Sequence, residues 1–158
     1  MAYKTSGDAA GLPELFSDLV RCETRLYNAL NDRLRARHGL VTSQFEALRY
    51  LRDHAGARVA DLAAEFAIGI GATSKSVDRL EKQGWAVREP NPADRRSSLL
   101  ALTDDGARLV AAAEETFGET LAELIGGALD PAEVTAAART LSKLRSALEH
   151  RQVGMPTG

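Results

Sequence analysis

Lys75, Arg79, Arg95 and Arg96 are the side chains whose type and spacing point to chemistry. Lys75 sits in the polar run Thr73-Ser74-Lys75-Ser76, with Arg79 one helical turn further on. Arg95 and Arg96 close the segment Asn91-Pro92-Ala93-Asp94-Arg95-Arg96. Guanidinium and ammonium groups bind phosphate oxygens and the acceptor edge of guanine. Short hydroxyls suit phosphates or water-mediated contacts. This is polyanion-recognition chemistry rather than catalysis. No Ser/His/Asp, Cys/His or paired-carboxylate arrangement stands out, so no enzyme activity and no cofactor are expected. His38, His54 and His150 lack metal-ligand spacing, so no metal site is expected either. Gly69-Ile70-Gly71 precedes a helix but lacks the preceding strand and the full fingerprint of a nucleotide loop.

A helix, a turn, a second helix and a hairpin must hold these cations. Val59 to Phe66 reads as a short helix with Leu62, Ala63 and Phe66 on one face. Ala67 to Gly71 is a glycine-bearing turn. Ala72 to Gln83 is a second helix, with Val77 and Leu80 inward and Ser74, Lys75, Ser76, Asp78, Arg79 and Lys82 outward. Two short helices joined by a tight turn form a helix-turn-helix. Gly84 closes the second helix where a left-handed residue is needed. A hairpin follows. Trp85 to Pro90 alternates, Asn91-Pro92-Ala93-Asp94 turns, and Ser97 to Leu102 returns. A basic hairpin tip beside a polar helix is a winged helix: the helix enters the major groove and the wing reaches the adjacent minor groove.

The DNA-binding candidates are therefore Thr73, Ser74, Lys75, Ser76 and Arg79 on the helix, with Arg95 and Arg96 on the wing. Lys75 and Arg79 suit guanine, and Arg96 is the principal wing residue. Asp94 braces the wing, because phosphates repel a carboxylate. The competing reading of the helix is a solvated face with an Asp78–Lys82 salt bridge; the wing beside it favours DNA.

On these residues the chain resembles the MarR family of bacterial transcription regulators. The match runs through Leu62-Ala63, Ile68, Val77-Asp78-Arg79-Leu80-Glu81-Lys82-Gln83-Gly84, the wing Asn91 to Arg96, then Leu102-Thr103 and Gly106. Gly69-Ile70-Gly71 departs from it, standing where the family more often has Ser, Thr or a basic residue. The resemblance implies a DNA-binding regulator, most often a repressor, whose N- and C-terminal helices intertwine into a homodimer. It further implies release by a small ligand, often an anionic aromatic, bound between the dimer lobe and the reading heads. Tyr27, Arg49 and Tyr50 lie near that junction and are candidate ligand contacts, against ordinary packing. Two heads on a two-fold axis would favour a pseudo-palindromic double-stranded operator.

The rest of the chain is consistent with a mainly α protein: a winged helix-turn-helix plus long terminal dimerisation helices. Leu12 to Arg37 reads as a long helix with an apolar stripe, Pro13 lying in its first turn. His38-Gly39 ends it, and Thr42 or Ser43 caps the next helix, with a Ser43/Glu46 capping box. Thr103 caps a third long helix whose buried face is Leu109, Ala113, Phe117, Leu121 and Leu124. Asp130-Pro131-Ala132-Glu133 starts the last helix, striped by Val134, Ala137, Leu141, Leu144 and Leu148. Residues 1–37 and 107–158 thus form the dimerisation region and 38–106 the reading lobe of one continuous domain. Residues 1–11 and 155–158 read as loose ends.

The net charge of −2 does not advertise nucleic acid. From Gly71 to Leu100, however, six cations meet four anions, a local +2 that leaves −4 on the remainder. No apolar run has membrane length, and a single Cys excludes an internal disulfide, so a cytoplasmic protein is expected. Cys22 falls on the apolar stripe and reads as packing. It is too far along the helix to match the sensing Cys of the family's peroxide-responsive branch. The alternatives are a winged-helix protein-interaction module, or a regulator or activator that answers to no ligand.

Overall fold

The computed structural model describes residues 11–157; residues 1–10 and 158, at the two expected loose ends, lie outside the described residues. The order is α1 (Leu12–His38), α2 (Thr42–Asp53), α3 (Val59–Glu65), α4 (Ile70–Lys82), β1 (Ala86–Pro90), β2 (Ser98–Leu102), α5 (Asp104–Leu124) and α6 (Pro131–His150). The protein is thus mainly helical with one antiparallel hairpin, as the patterning anticipates.

Gly39, at φ +71°, lets the chain leave α1 in the left-handed conformation. The start of α2 differs from expectation. Val41 is its N-cap, and the Gln44 side chain accepts the Val41 N–H at 3.0 Å. Thr42 is buried and ties α2 to α1: its N–H donates to Asn31 Oδ1 at 2.8 Å. The Ser43/Glu46 box does not form, because the helix begins two residues too early for it. At α3, Asp61 accepts the Arg58 N–H at 2.8 Å. The Arg58 guanidinium, with that N–H, holds the Asp61 carboxyl below the usual carboxylate range.

A single hydrophobic core gathers Leu34, Leu40, Phe45, Leu48, Leu51, Leu62, Val77, Leu80, Leu100 and Val110. The Phe45 and Phe117 rings pack at 4.7 Å. Leu100 donates its N–H to Ala57 O at 2.7 Å, fastening the returning wing strand to the entrance of α3.

Helix α5 is tied to α1 through Arg33–Glu123 (2.7 Å), Arg37–Glu119 (3.0 Å) and His38 Nε2 to Thr116 Oγ1 (2.7 Å). Arg52 grips Glu114 with both terminal nitrogens, at 2.8 and 3.1 Å. That grip pulls the Glu114 carboxyl below its ordinary range. The buried face of α5 is rotated from the expected one. Gly106, Val110, Ala113, Thr116 and Thr120 are buried, Leu109 and Phe117 are partly buried, and Leu124 is exposed. Two threonines can face inward because Thr120 donates to Thr116 O at 2.7 Å and Thr116 meets His38.

Asp130 and Glu133 form the expected capping box of α6, each bond 2.9 Å. Yet α6 buries none of its residues in the single chain. Leu141, Leu144 and Leu148 stay exposed, lining with Leu19 of α1 an apolar groove. The first turns of α1 are also bare, with Phe16 67% exposed. Cys22, expected to pack, is exposed. Met155 and Pro156 are not free of the body: they line a cavity with Ala63, Ile68 and Ile70 at the head of α4.

Candidate nucleic-acid interface

Helix α4 begins at Ile70, two residues earlier than its pattern suggests, with Gly69 as N-cap. The chain enters it through Ala67, which adopts φ +51°, and Ile68, whose N–H donates to Ala63 O at 3.0 Å. Burial of Thr73, Val77 and Leu80 fixes the roll of the helix. Lys75, Ser76, Arg79 and Lys82 therefore face solvent. Thr73 is only 5% exposed, and its hydroxyl donates to Gly69 O at 3.0 Å. This corrects its expected place on the reading face: a residue four before Val77 shares its inward side. Ser74 is half-buried, and the Ser76 hydroxyl donates to Ala72 O at 3.1 Å.

The helix ends at Gly84, φ +77°, where the wing is anchored. Thr103 Oγ1 donates to Gly84 O at 2.6 Å and accepts the Gly106 N–H at 3.0 Å. One hydroxyl thus joins the end of α4 to the start of α5. In the hairpin, Ala86 pairs with Leu102 and Pro90 with Ser98. At the tip Asn91 Oδ1 accepts the Ala93 N–H at 3.0 Å, and its Nδ2 donates to Ser97 Oγ at 3.0 Å. Asp94 Oδ1 accepts the Arg96 N–H at 2.9 Å. That Asx turn occupies the carboxylate with backbone and leaves the Arg95 and Arg96 side chains exposed. Among the described residues, Lys75, Arg79, Arg95 and Arg96 make no ion pair.

Arg88 escaped the residue-by-residue reading. It leaves β1 toward α4, 2.8 Å from Asp78 Oδ1 and in contact with Glu81 Oε1. Its other terminal nitrogen donates to Ser74 O (3.3 Å) and Ser74 Oγ (3.2 Å). Asp78 thus pairs with Arg88 rather than with Lys82. The available signal was joint: strand alternation turns Arg88 to the side of buried Ala86, and positions 74, 78 and 81 form one helical stripe.

The ligand candidates separate. Tyr27 lines a cavity of 340 Å³ between α1, α2 and the helix-turn-helix, together with Gln44, Phe66, Ile68, Ser76 and Arg79. Arg49 and Tyr50 are not among its walls. Arg49 lies over the Phe45 and Phe117 rings, 5.7 and 5.8 Å from their centres, and Tyr50 stacks on His54 at 4.0 Å. Burial pushes the Tyr50 hydroxyl pKa up.

A helix-turn-helix whose second helix is followed by a basic hairpin defines a winged-helix DNA-binding protein. A model described as "MarR family" matches residues 38–97. The multiple antibiotic resistance protein MarR of Salmonella typhimurium is 28% identical over 83% of this chain and 95% of its own length. A mutant MarR from E. coli complexed with operator DNA superposes with TM-score 0.78 at 26% identity, covering 88% of this chain and 99% of that one. The transcriptional repressor CouR, bound to a 23-mer DNA duplex, superposes with TM-score 0.79 at 25% identity over 89% and 99%. The chain belongs to the MarR family and is a transcriptional regulator, not an enzyme.

Proposed function

We propose that this protein is a cytoplasmic homodimeric repressor that binds a pseudo-palindromic operator in double-stranded DNA and is released by a small ligand. The observation that carries DNA recognition is the pair of exposed cation sets, Lys75 and Arg79 on α4 and Arg95 and Arg96 on the wing, held by one rigid junction. The dimer reading is supported by α6, which buries nothing alone, and by the bare start of α1. Apolar surface of that extent marks an interface. Ligand release is supported by the Tyr27 cavity. Its apolar walls and its Arg79 suit an anionic aromatic, and Ser76 and Arg79 belong also to the exposed face of α4. An occupant favouring a different head orientation would shift the population away from the operator-bound form.

The test is selection of genomic fragments by the purified protein against random competitor, followed by titration at several salt concentrations. A palindromic preference with a steep salt slope is the expected result. Weak, unselective binding that no ligand-free preparation improves would point to a protein partner for the winged segment instead. In the same assay Arg96→Ala is expected to cost about 1–3 kcal/mol, the range for an arginine entering a groove. Unchanged affinity would place the wing contact elsewhere.

A further inference from the structure

The stripe Ser74, Asp78, Glu81 on α4 borders the stripe Lys75, Arg79, Lys82 that faces solvent. Two carboxylates thus stand beside the cations proposed to meet DNA. Left bare, they would repel phosphates across less than a Debye length of about 8–10 Å. Arg88 covers them. One terminal nitrogen contacts both Asp78 Oδ1 and Glu81 Oε1, and the other is used by Ser74. Glu81 Oε2 also accepts the Arg88 N–H at 3.4 Å. The Arg88 side chain is 25% exposed, less than the 64% of Asp78, so it lies between its partners and offsets one of their two charges.

We propose that Arg88 is a positioning residue for DNA recognition that acts through Asp78 and Glu81: it masks their charge from the DNA and does not contact the DNA itself. The proposal rests on the DNA-binding reading above. It differs from a direct phosphate contact in one consequence. If Arg88 matters because of the carboxylates, removing them removes the need for it. A purely structural role predicts no full rescue, because amide–amide hydrogen bonds are weaker than the charge-assisted ones they replace.

The experiment is a mutant cycle on the selected operator, with the full-length dimer at fixed salt. Arg88→Gln is expected to weaken binding at least ~10-fold, as the charge that offsets the carboxylates is lost beside the phosphates. Adding Asp78→Asn and Glu81→Gln to it is expected to bring affinity within ~3-fold of the parent. A triple variant as weak as Arg88→Gln overturns the proposal, as does an Arg88→Gln variant that binds like the parent. Should Arg88→Gln fail to fold, the parent protein decides the matter. Its Arg88 side-chain N–H resonances are expected to stay unshifted when operator is added, while those of Arg96 move; a shift at Arg88 equal to that at Arg96 overturns the proposal. Absence of salt-dependent binding by the parent itself would instead take down the DNA-binding reading, and this inference with it.

Discussion

Gly106→Ala is expected to lower the stability of the protein by about 3 kcal/mol, the upper part of the overpacking range. Gly106 is buried in the first turn of α5, against the backbone of Trp85. A Cβ there would lie 2.9 Å from the Trp85 carbonyl carbon and closer still to its oxygen. That oxygen already accepts the Thr103 N–H at 3.1 Å, so it cannot withdraw without breaking the bond. Nor can α5 move away, because the Gly106 N–H is held by Thr103 Oγ1, which is itself bonded to Gly84. Backbone meets backbone, and no flexible side chain can give way. Thermal unfolding followed by circular dichroism should show a melting point lower by roughly 6–12 °C. Gly118→Ala is the control. It lies in the same helix, where a Cβ meets nothing within 4 Å. There alanine should gain about 0.5–1 kcal/mol through helix propensity. A melting point unchanged by Gly106→Ala would mean that the junction of α4, wing and α5 is softer than its hydrogen bonds indicate.

The second large effect concerns assembly. Leu144→Asp is expected to convert the proposed homodimer to monomers and to weaken operator binding by more than ~100-fold, because the second head then no longer binds at high effective concentration. Leu144 is 44% exposed in the single chain, on an α6 face that turns Leu141 and Leu148 toward the groove shared with Leu19. A carboxylate placed there would be buried unpaired in an apolar interface, at several kcal/mol. The fold of the reading lobe should survive, since α6 contributes no buried residue to it. Sedimentation equilibrium reads the mass directly, and circular dichroism reports the helices. A variant that remains dimeric would move the interface off this face of α6.

Much of this architecture is written in local chemistry. Pro13, Gly39, Gly84, Thr103 and the Asp130/Glu133 pair mark helix ends by backbone geometry and side-chain hydrogen bonds that depend on near neighbours alone. The wing turn is equally local, since Asn91 and Asp94 bond N–H groups two residues away. Family membership followed from the same local motifs. Other features depend on how elements lie against one another. Thr73 looks like a reading residue in a polar run, yet the roll of α4, set by Val77 and Leu80 against the core, turns it inward. The α5 stripe looks leucine-led, yet packing on α1 buries Thr116 and Thr120. Arg49 and Tyr50 are near Tyr27 in sequence pattern, yet α2 directs them to Phe117 and His54 rather than to the cavity. Arg88 is separated from Ser74 by 14 residues, so its bond there exists only once the hairpin folds back on the helix. Caps, turns and periodicity are energies between near neighbours and can be read along the chain. The roll of a helix and the destination of a long cationic side chain are settled by burial across the whole fold, which only the tertiary structure decides.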